Sequence, residues 1–154
     1  MDNPTDFNIV FLEEQSDPGY LMPLLLIGDE SETMINRYLG RGRVFTGEIS
    51  GQTVCVCVVT EEADGMAEIK NLAVMAQWRR HGVGRAMLRH VESLYAGRTL
   101  SLGTGETPST LRFYHNCGYR FSHRVADFFT RNYPAPIIEE GVTLRDMIYL
   151  TKQC

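Results

Sequence analysis

Residues 78–90, WRRHGVGRAMLRH, place two glycines, four arginines and two histidines where an apolar, β-compatible run gives way to helical periodicity. A strand feeding a glycine-rich turn and then a helix start points several backbone N–H groups, and the positive end of the helix dipole, at one anion. Gly82 and Gly84 let the backbone approach that anion closely, and Arg79, Arg80 and Arg85 add charge. The expected ligand is therefore polyanionic, and a pyrophosphate fits. A P-loop would need Gly-Lys-Ser/Thr, whereas Gly84 is followed by Arg85 and Ala86. A dinucleotide fingerprint would need a third glycine where Met87 stands, and an early strand rather than one in mid-chain.

The flanking elements read as follows. Residues 7–12 are apolar and β-compatible, residues 21–28 form a short helix with Pro23 in its first turn, and residues 31–42 a second helix capped by Ser31. Met34, Ile35, Tyr38 and Leu39 fall on one face of that second helix. Residues 44–62 form a hairpin turning at 50–52. Residues 66–75 end in a nearly continuous apolar run, which predicts a strand buried on both faces and leading directly into the glycine turn. From Trp78 to Ala96 a helix is expected, with Val83, Met87, Val91 and Leu94 on its apolar face. A strand at 98–103, a helix with Thr107 as cap, Pro108 at its first position and Gly118 past its end, a strand at 119–129 and a last strand at 142–150 complete the chain. Alternating strands and helices predict one α/β (α+β) domain over residues 1–154.

Charge is distributed unevenly. No Lys, Arg or His precedes Arg37, whereas residues 79–98 carry five arginines and two histidines against Glu92 alone. With a formal net charge of -4 the chain lacks the broad basic surface of a nucleic-acid binder. No apolar run reaches the length of a membrane span, no leader pattern is present, and the default location is cytoplasmic. Cys55 and Cys57 lie two apart in a strand and share a face, so free, mostly buried thiols are expected, and no cysteine or histidine spacing suggests a metal site.

The segment QWRRHGVGRAML resembles the pyrophosphate-binding motif of the GNAT N-acetyltransferases, Gln/Arg-x-x-Gly-x-Gly/Ala, matched by Arg79, Gly82 and Gly84. LRFYHNCGYRF resembles the family's second signature, a helix bearing a tyrosine followed by a Gly-Tyr entry into the next strand. The resemblance spans residues 8–150 and is densest over 68–121. It implies a mixed, mostly antiparallel sheet of six to seven strands with about four helices, its central strands splayed to admit acetyl-CoA, and an acyltransferase that moves an acetyl group to a primary amine by direct attack in a ternary complex. On that pattern the backbone of Leu72, Ala73 and Val74 holds the pantetheine arm, and Leu72 N–H serves the oxyanion. Arg79, Arg80, His81, Gly82, Val83, Gly84 and Arg85 hold the pyrophosphate. Tyr114 matches the family's general acid toward the leaving thiolate and contacts the cofactor; core packing explains a helix aromatic equally simply. Glu68 stands fourteen residues before Gly82, where some members carry a catalytic glutamate; it also stands two residues from Lys70, where a strand places a same-face partner. One departure concerns the start of the Tyr114 helix, where many relatives have an asparagine and this chain has Glu106 and Thr107. Glu106 is thus a second candidate base.

On the acceptor side, Glu13, Glu14, Asp29, Glu30 and Glu32 could draw in a cationic amine. Asp127, Phe128, Phe129 and Tyr133 could form its pocket, with Asp127 or Glu139 anchoring an ammonium, although core packing accounts for the same residues. A small-molecule amine is the favoured acceptor. A protein N-terminal α-amine and a catalytically silent acetyl-CoA sensor are the alternatives, with no nucleic acid, membrane or metal as partner and either a monomer or a homodimer expected.

Overall fold

A computed structural model describes residues 8–154. A seven-stranded sheet runs in the order β1-β2-β3-β4-β5-β9-β6, from β1 (Ile9–Glu14) through β2 (Arg43–Ile49), β3 (Gln52–Glu61), β4 (Ala67–Val74), β5 (Thr99–Thr104) and β9 (Met147–Gln153) to β6 (Arg120–Val125). All neighbours pair antiparallel except β4 and β5. Helices α1 (Met22–Gly28) and α2 (Glu32–Leu39) cover one face, packing with Val56, Val58 and Ala73. Helices α3 (Val83–Leu94) and α4 (Pro108–Asn116) cover the other, packing with Cys55, Cys57, Leu100 and Leu102. Alternation along β3 from Cys55 to Val59 therefore feeds two cores, which explains its unbroken apolar sequence. The expected mixed, mostly antiparallel fold is present. A fifth helix, α5 (Phe128–Asn132), and a separate hairpin of β7 (Ile138–Glu139) and β8 (Val142–Thr143) were not expected.

Local signals account for several boundaries. Ser31 accepts a hydrogen bond from Met34 N–H at 3.2 Å and starts α2. The β2–β3 turn occupies Ser50 and Gly51, both at positive φ, as a two-residue hairpin requires. Helix α3 begins at Val83 rather than Trp78, because a 3-10 turn (Ala76–Trp78) and left-handed residues at Arg80 and Gly82 intervene. It buries Val83, Met87, Leu88 and Val91, but Leu94 is 46% exposed. The neighbouring Tyr95 takes the buried position instead, its ring beneath the guanidinium groups of Arg43 and Arg98. Glu92 ties α3 to the sheet by accepting from Tyr119 Oη at 3.0 Å and from Lys152 Nζ at 2.9 Å.

Two strand expectations change. The run 119–129 is strand only to Val125; Asp127 turns at φ 56 and starts α5. The run 142–150 divides between β8 and β9, with Glu140 and Gly141 at positive φ closing the β7–β8 hairpin. The expected residue 7 of the first strand lies outside the described residues. All four cysteines are free, and burial pushes the Cys55 thiol up to about 12. Among the described residues no helix is long and apolar enough to cross a membrane, and no cluster of His, Cys, Asp or Glu could hold a metal ion.

The departure from regularity that matters most lies in β4. Val58 pairs with Asn71 and Val59 with Ile69, leaving Lys70 as a bulge. Ala67 and Ile69 before the bulge, and Leu72 and Val74 after it, therefore all pack toward the α3 side. Asn71 and Ala73 turn to the α1 side, where Asn71 Nδ2 donates to Leu25 O at 2.9 Å and to Tyr38 Oη at 3.0 Å. Gly28 makes this contact possible, since a Cβ there would meet Asn71 Oδ1 at 2.3 Å and Leu72 O at 3.2 Å. Gly28→Ala is expected to cost about 1–3 kcal/mol through overpacking, read as a lower urea midpoint; equal or higher stability would contradict this close packing of α1 on β4.

Candidate active site

The parallel ladder of β4 and β5 lasts three residues, Ala67 to Ile69 against Leu100 to Leu102. Beyond the bulge the strands separate, and the edge of β4 that faced β5 has no strand to continue its hydrogen bonds. Leu72 and Val74, beyond the ladder, are accordingly only half-buried, while Asn71 and Ala73 are buried on the α1 side. A cleft opens in the gap, lined by residues 69–72 of β4, 102–104 of β5, and Thr110 and Tyr114 of α4. Leu72 thus lines the cleft, while Ala73 is buried toward α1 and Val74 packs beside Gly84.

At the far end of β4 stands the glycine turn. Gly82 occupies the N-cap of α3 at φ 79, ψ 9, a left-handed conformation open to glycine, and no side chain caps the helix. The N–H groups of Val83, Gly84 and Arg85 have no intrahelical acceptor by position. A Cβ at Gly84 would meet Phe113 and Val74 only at ordinary contact distances of 3.4 and 3.5 Å, so its packing alone does not demand glycine. Arg79, Arg80, Arg85 and Arg89 are exposed, and among the described residues no carboxylate pairs with them. Arg41, Arg43, Arg98, Arg124 and Arg145, by contrast, each pair with a carboxylate. His81 lies against the Trp78 ring at 5.6 Å, and His90 stacks on Phe11 at 4.6 Å. Among the described residues, the first backbone N–H groups of α3 and the four arginines have no anionic partner, the arrangement that binds a phosphate group.

Tyr114 reaches the cleft from α4, its ring held edge-on by Phe113 at 5.1 Å and Tyr119 at 6.0 Å. Its hydroxyl makes no hydrogen bond to the described residues, and burial holds the phenol above its usual range. It is consequently protonated at neutral pH. Glu68 ion-pairs with Lys70 at 3.0 Å. Lys70, not Glu68, lines the cleft.

The cleft continues into a second chamber lined by Asp29, Glu30, Phe129, Tyr133, Ile137, Leu144 and Met147. Tyr133 donates to Asp29 Oδ1 at 2.8 Å, Tyr38 donates to Asp29 Oδ2 at 3.4 Å, and Ser31 N–H donates to Oδ1 at 3.2 Å. Burial, with Asp29 alongside, keeps both phenols protonated. This chain of bonds links α5, the start of α2 and the bulged strand across the chamber wall. Phe129 and Tyr133 stack at 5.7 Å. Of the residues expected on the acceptor side, Asp29, Glu30, Phe129, Tyr133 and Glu139 line the chamber, whereas Glu13, Glu14, Glu32, Asp127 and Phe128 are outside its lining. Asp127 instead faces Arg145 at 3.4 Å, with its N–H on Asp146. Glu106 is exposed and paired with Arg124 at 2.6 Å, outside the cleft lining. Thr107 sits at the N-cap of α4, but its hydroxyl bonds Glu139 Oε1 at 2.8 Å rather than the helix backbone. Neither the bulge nor this tether has a local sequence signal.

Comparison with known proteins agrees with this geometry. The model of the acetyltransferase (GNAT) domain matches residues 40–121. The uncharacterized N-acetyltransferase YvbK of Bacillus subtilis (strain 168) is 32% identical over 143 residues, 90% of each chain. The solved structure of an IAA acetyltransferase from Bacillus cereus ATCC 14579 superposes with a TM-score of 0.88 at 32% identity, covering 96% of this chain and 100% of that one. A GNAT family acetyltransferase from Elizabethkingia anophelis, solved with acetyl-CoA bound, gives a TM-score of 0.87 at 29% identity, covering 96% of this chain and 99% of that one. Splayed strands, glycine turn and sequence relationship together place the chain in the GNAT superfamily of N-acetyltransferases, as an acyltransferase.

Proposed function

We propose that the protein transfers the acetyl group of acetyl-CoA to a primary amine of a small molecule, by direct attack of the amine while both are bound. The observation that carries this reading is the three-residue β4–β5 ladder, which opens one continuous cleft from Tyr114 to the walled second chamber. The relative from Elizabethkingia anophelis holds acetyl-CoA, which supports the same cosubstrate here.

Acetyl-CoA fits the residues present. Arg79, Arg80 and Arg85, with the N–H groups of Val83 and Gly84 and the backbone at His81 and Gly82, would hold the pyrophosphate. The unpartnered edge of β4 at residues 72–74 would hold the pantetheine arm, with Leu72 N–H toward the thioester oxygen. Tyr114 donates its proton to the departing sulfur, whose thiolate has an ordinary pKa of about 8.5. A phenol raised by burial keeps that proton until the thiolate forms. Glu68 neutralises Lys70, so that an ammonium can enter beside it without facing a bare cation.

The second chamber is bounded by the end of α1, by α5 and by the β7–β8 hairpin, a boundary that favours a small amine over a passing peptide. Release of CoA thiol with 2-phenylethylamine, tyramine and 1,5-diaminopentane as acceptors tests the reading. Tyr114→Phe should lower kcat at least tenfold, with acetyl-CoA affinity within threefold of wild type. An unchanged kcat would remove Tyr114 from the chemistry. Glu68→Gln is expected mainly to raise the KM for the amine; a fall in kcat with KM unchanged would instead make Glu68 the direct base.

A further inference from the structure

Building on the acetyl-transfer reading, we infer that Glu139 binds the ammonium of the acceptor and takes its proton. The two chambers share six lining residues, Ile27, Gly28, Lys70, Gly103, Thr104 and Glu139. A nucleophile held in one chamber and a thioester held in the other must meet there. Lys70 and Glu139 are the titratable side chains of that set, and Lys70 is committed to Glu68 at 3.0 Å. Glu139 pairs with no cation among the described residues.

Its side chain is exposed but tethered. Thr107, 3% exposed, donates to Glu139 Oε1 at 2.8 Å, leaving Oε2 without a protein partner among the described residues. The next residue, Glu140, accepts from Ser109 through both its N–H and its hydroxyl. Leu144 N–H closes the base of the hairpin on Ile137 O at 2.9 Å. Both tethers land on the first turn of α4, the helix that carries Tyr114. The hairpin is thus tied to the helix that carries Tyr114, which couples the carboxylate that meets the amine to the phenol that meets the sulfur.

The step balances as follows. The ammonium gives one proton to Glu139 Oε2, and its freed lone pair forms the C–N bond. The C–S bond breaks, sulfur takes the Tyr114 proton, and Tyr114 regains one from the acylated nitrogen. Glu139 then passes its proton to water, so that one proton is released for each amide formed. The assignment also sets the acceptor's chemistry: a protonated primary amine whose body lies between the Phe129–Tyr133 rings and the apolar wall of Ile137 and Leu144.

Glu139→Gln keeps an acceptor for Thr107 and removes only the charge. With the three amines named above, kcat/KM should fall at least thirtyfold, with acetyl-CoA affinity unchanged. The remaining activity should climb with pH toward the amine's own pKa, near 10, because the variant must be offered amine already deprotonated. Glu139→Asp should recover part of the loss. A Gln variant within threefold of wild type, with the same pH profile, overturns the assignment. Wild-type protein that binds acetyl-CoA yet turns over none of the amines overturns the small-amine reading itself, and the assignment with it.

Discussion

The site depends on a sheet that stops being a sheet. One extra residue, Lys70, interrupts β4, and the parallel partner β5 is lost immediately beyond Ile69. Separation leaves backbone groups without a ladder, which a buried strand does not ordinarily tolerate. It persists because each arm is held from outside. Asn71 fastens the bulged arm to the end of α1 and to α2, and β5 keeps its full antiparallel pairing with β9. The cleft is therefore a pre-formed consequence of the fold, and a ligand that supplies amide groups along β4 completes an edge already exposed.

Charge is sorted along that cleft. The glycine turn gathers arginines that no described carboxylate balances, whereas guanidinium groups elsewhere, such as those of Arg43, Arg98 and Arg124, sit in ion pairs at 2.5–2.8 Å. The opposite end carries Asp29, Glu30 and Glu139. Its Asp29 carboxylate is occupied by Tyr133, Tyr38 and Ser31 and so acts as a wall tie. A polyanion at one end and a cation at the other is the electrostatic arrangement that a CoA thioester and an ammonium require.

Much of this was legible in the sequence because it rests on short-range rules. The glycine turn, the capped helix at Ser31, the 50–51 turn and the apolar stripe at residues 83, 87 and 91 each declare themselves within a few positions. Other features arise only from contacts distant along the chain. The Lys70 bulge is set by register with β3, and the nearly continuous apolar run that ends β4 gives no sign of it. Thr107 has the type and position of a helix cap, yet its hydroxyl is claimed by Glu139, 32 residues away. Phe128 and Phe129 read as strand because aromatics favour strands, but Asp127 at φ 56 turns the chain into a helix first. Of the two carboxylates read from the sequence as ammonium anchors, Asp127 and Glu139, these long-range placements bring Glu139 to the chamber lining and leave Asp127 outside it.

The most direct test of the account is calorimetric titration of acetyl-CoA into wild-type protein and into Gly82→Asp, with folding of both verified by circular dichroism. Gly82 lies at the N-cap of α3 beside arginines that no described carboxylate pairs, so an aspartate there sets a negative charge against the pyrophosphate. Micromolar binding by wild type that is lost in the folded variant is the predicted result. Absence of binding by folded wild type, or equal binding by the variant, would contradict the assignment of the splayed cleft and its glycine turn to acetyl-CoA.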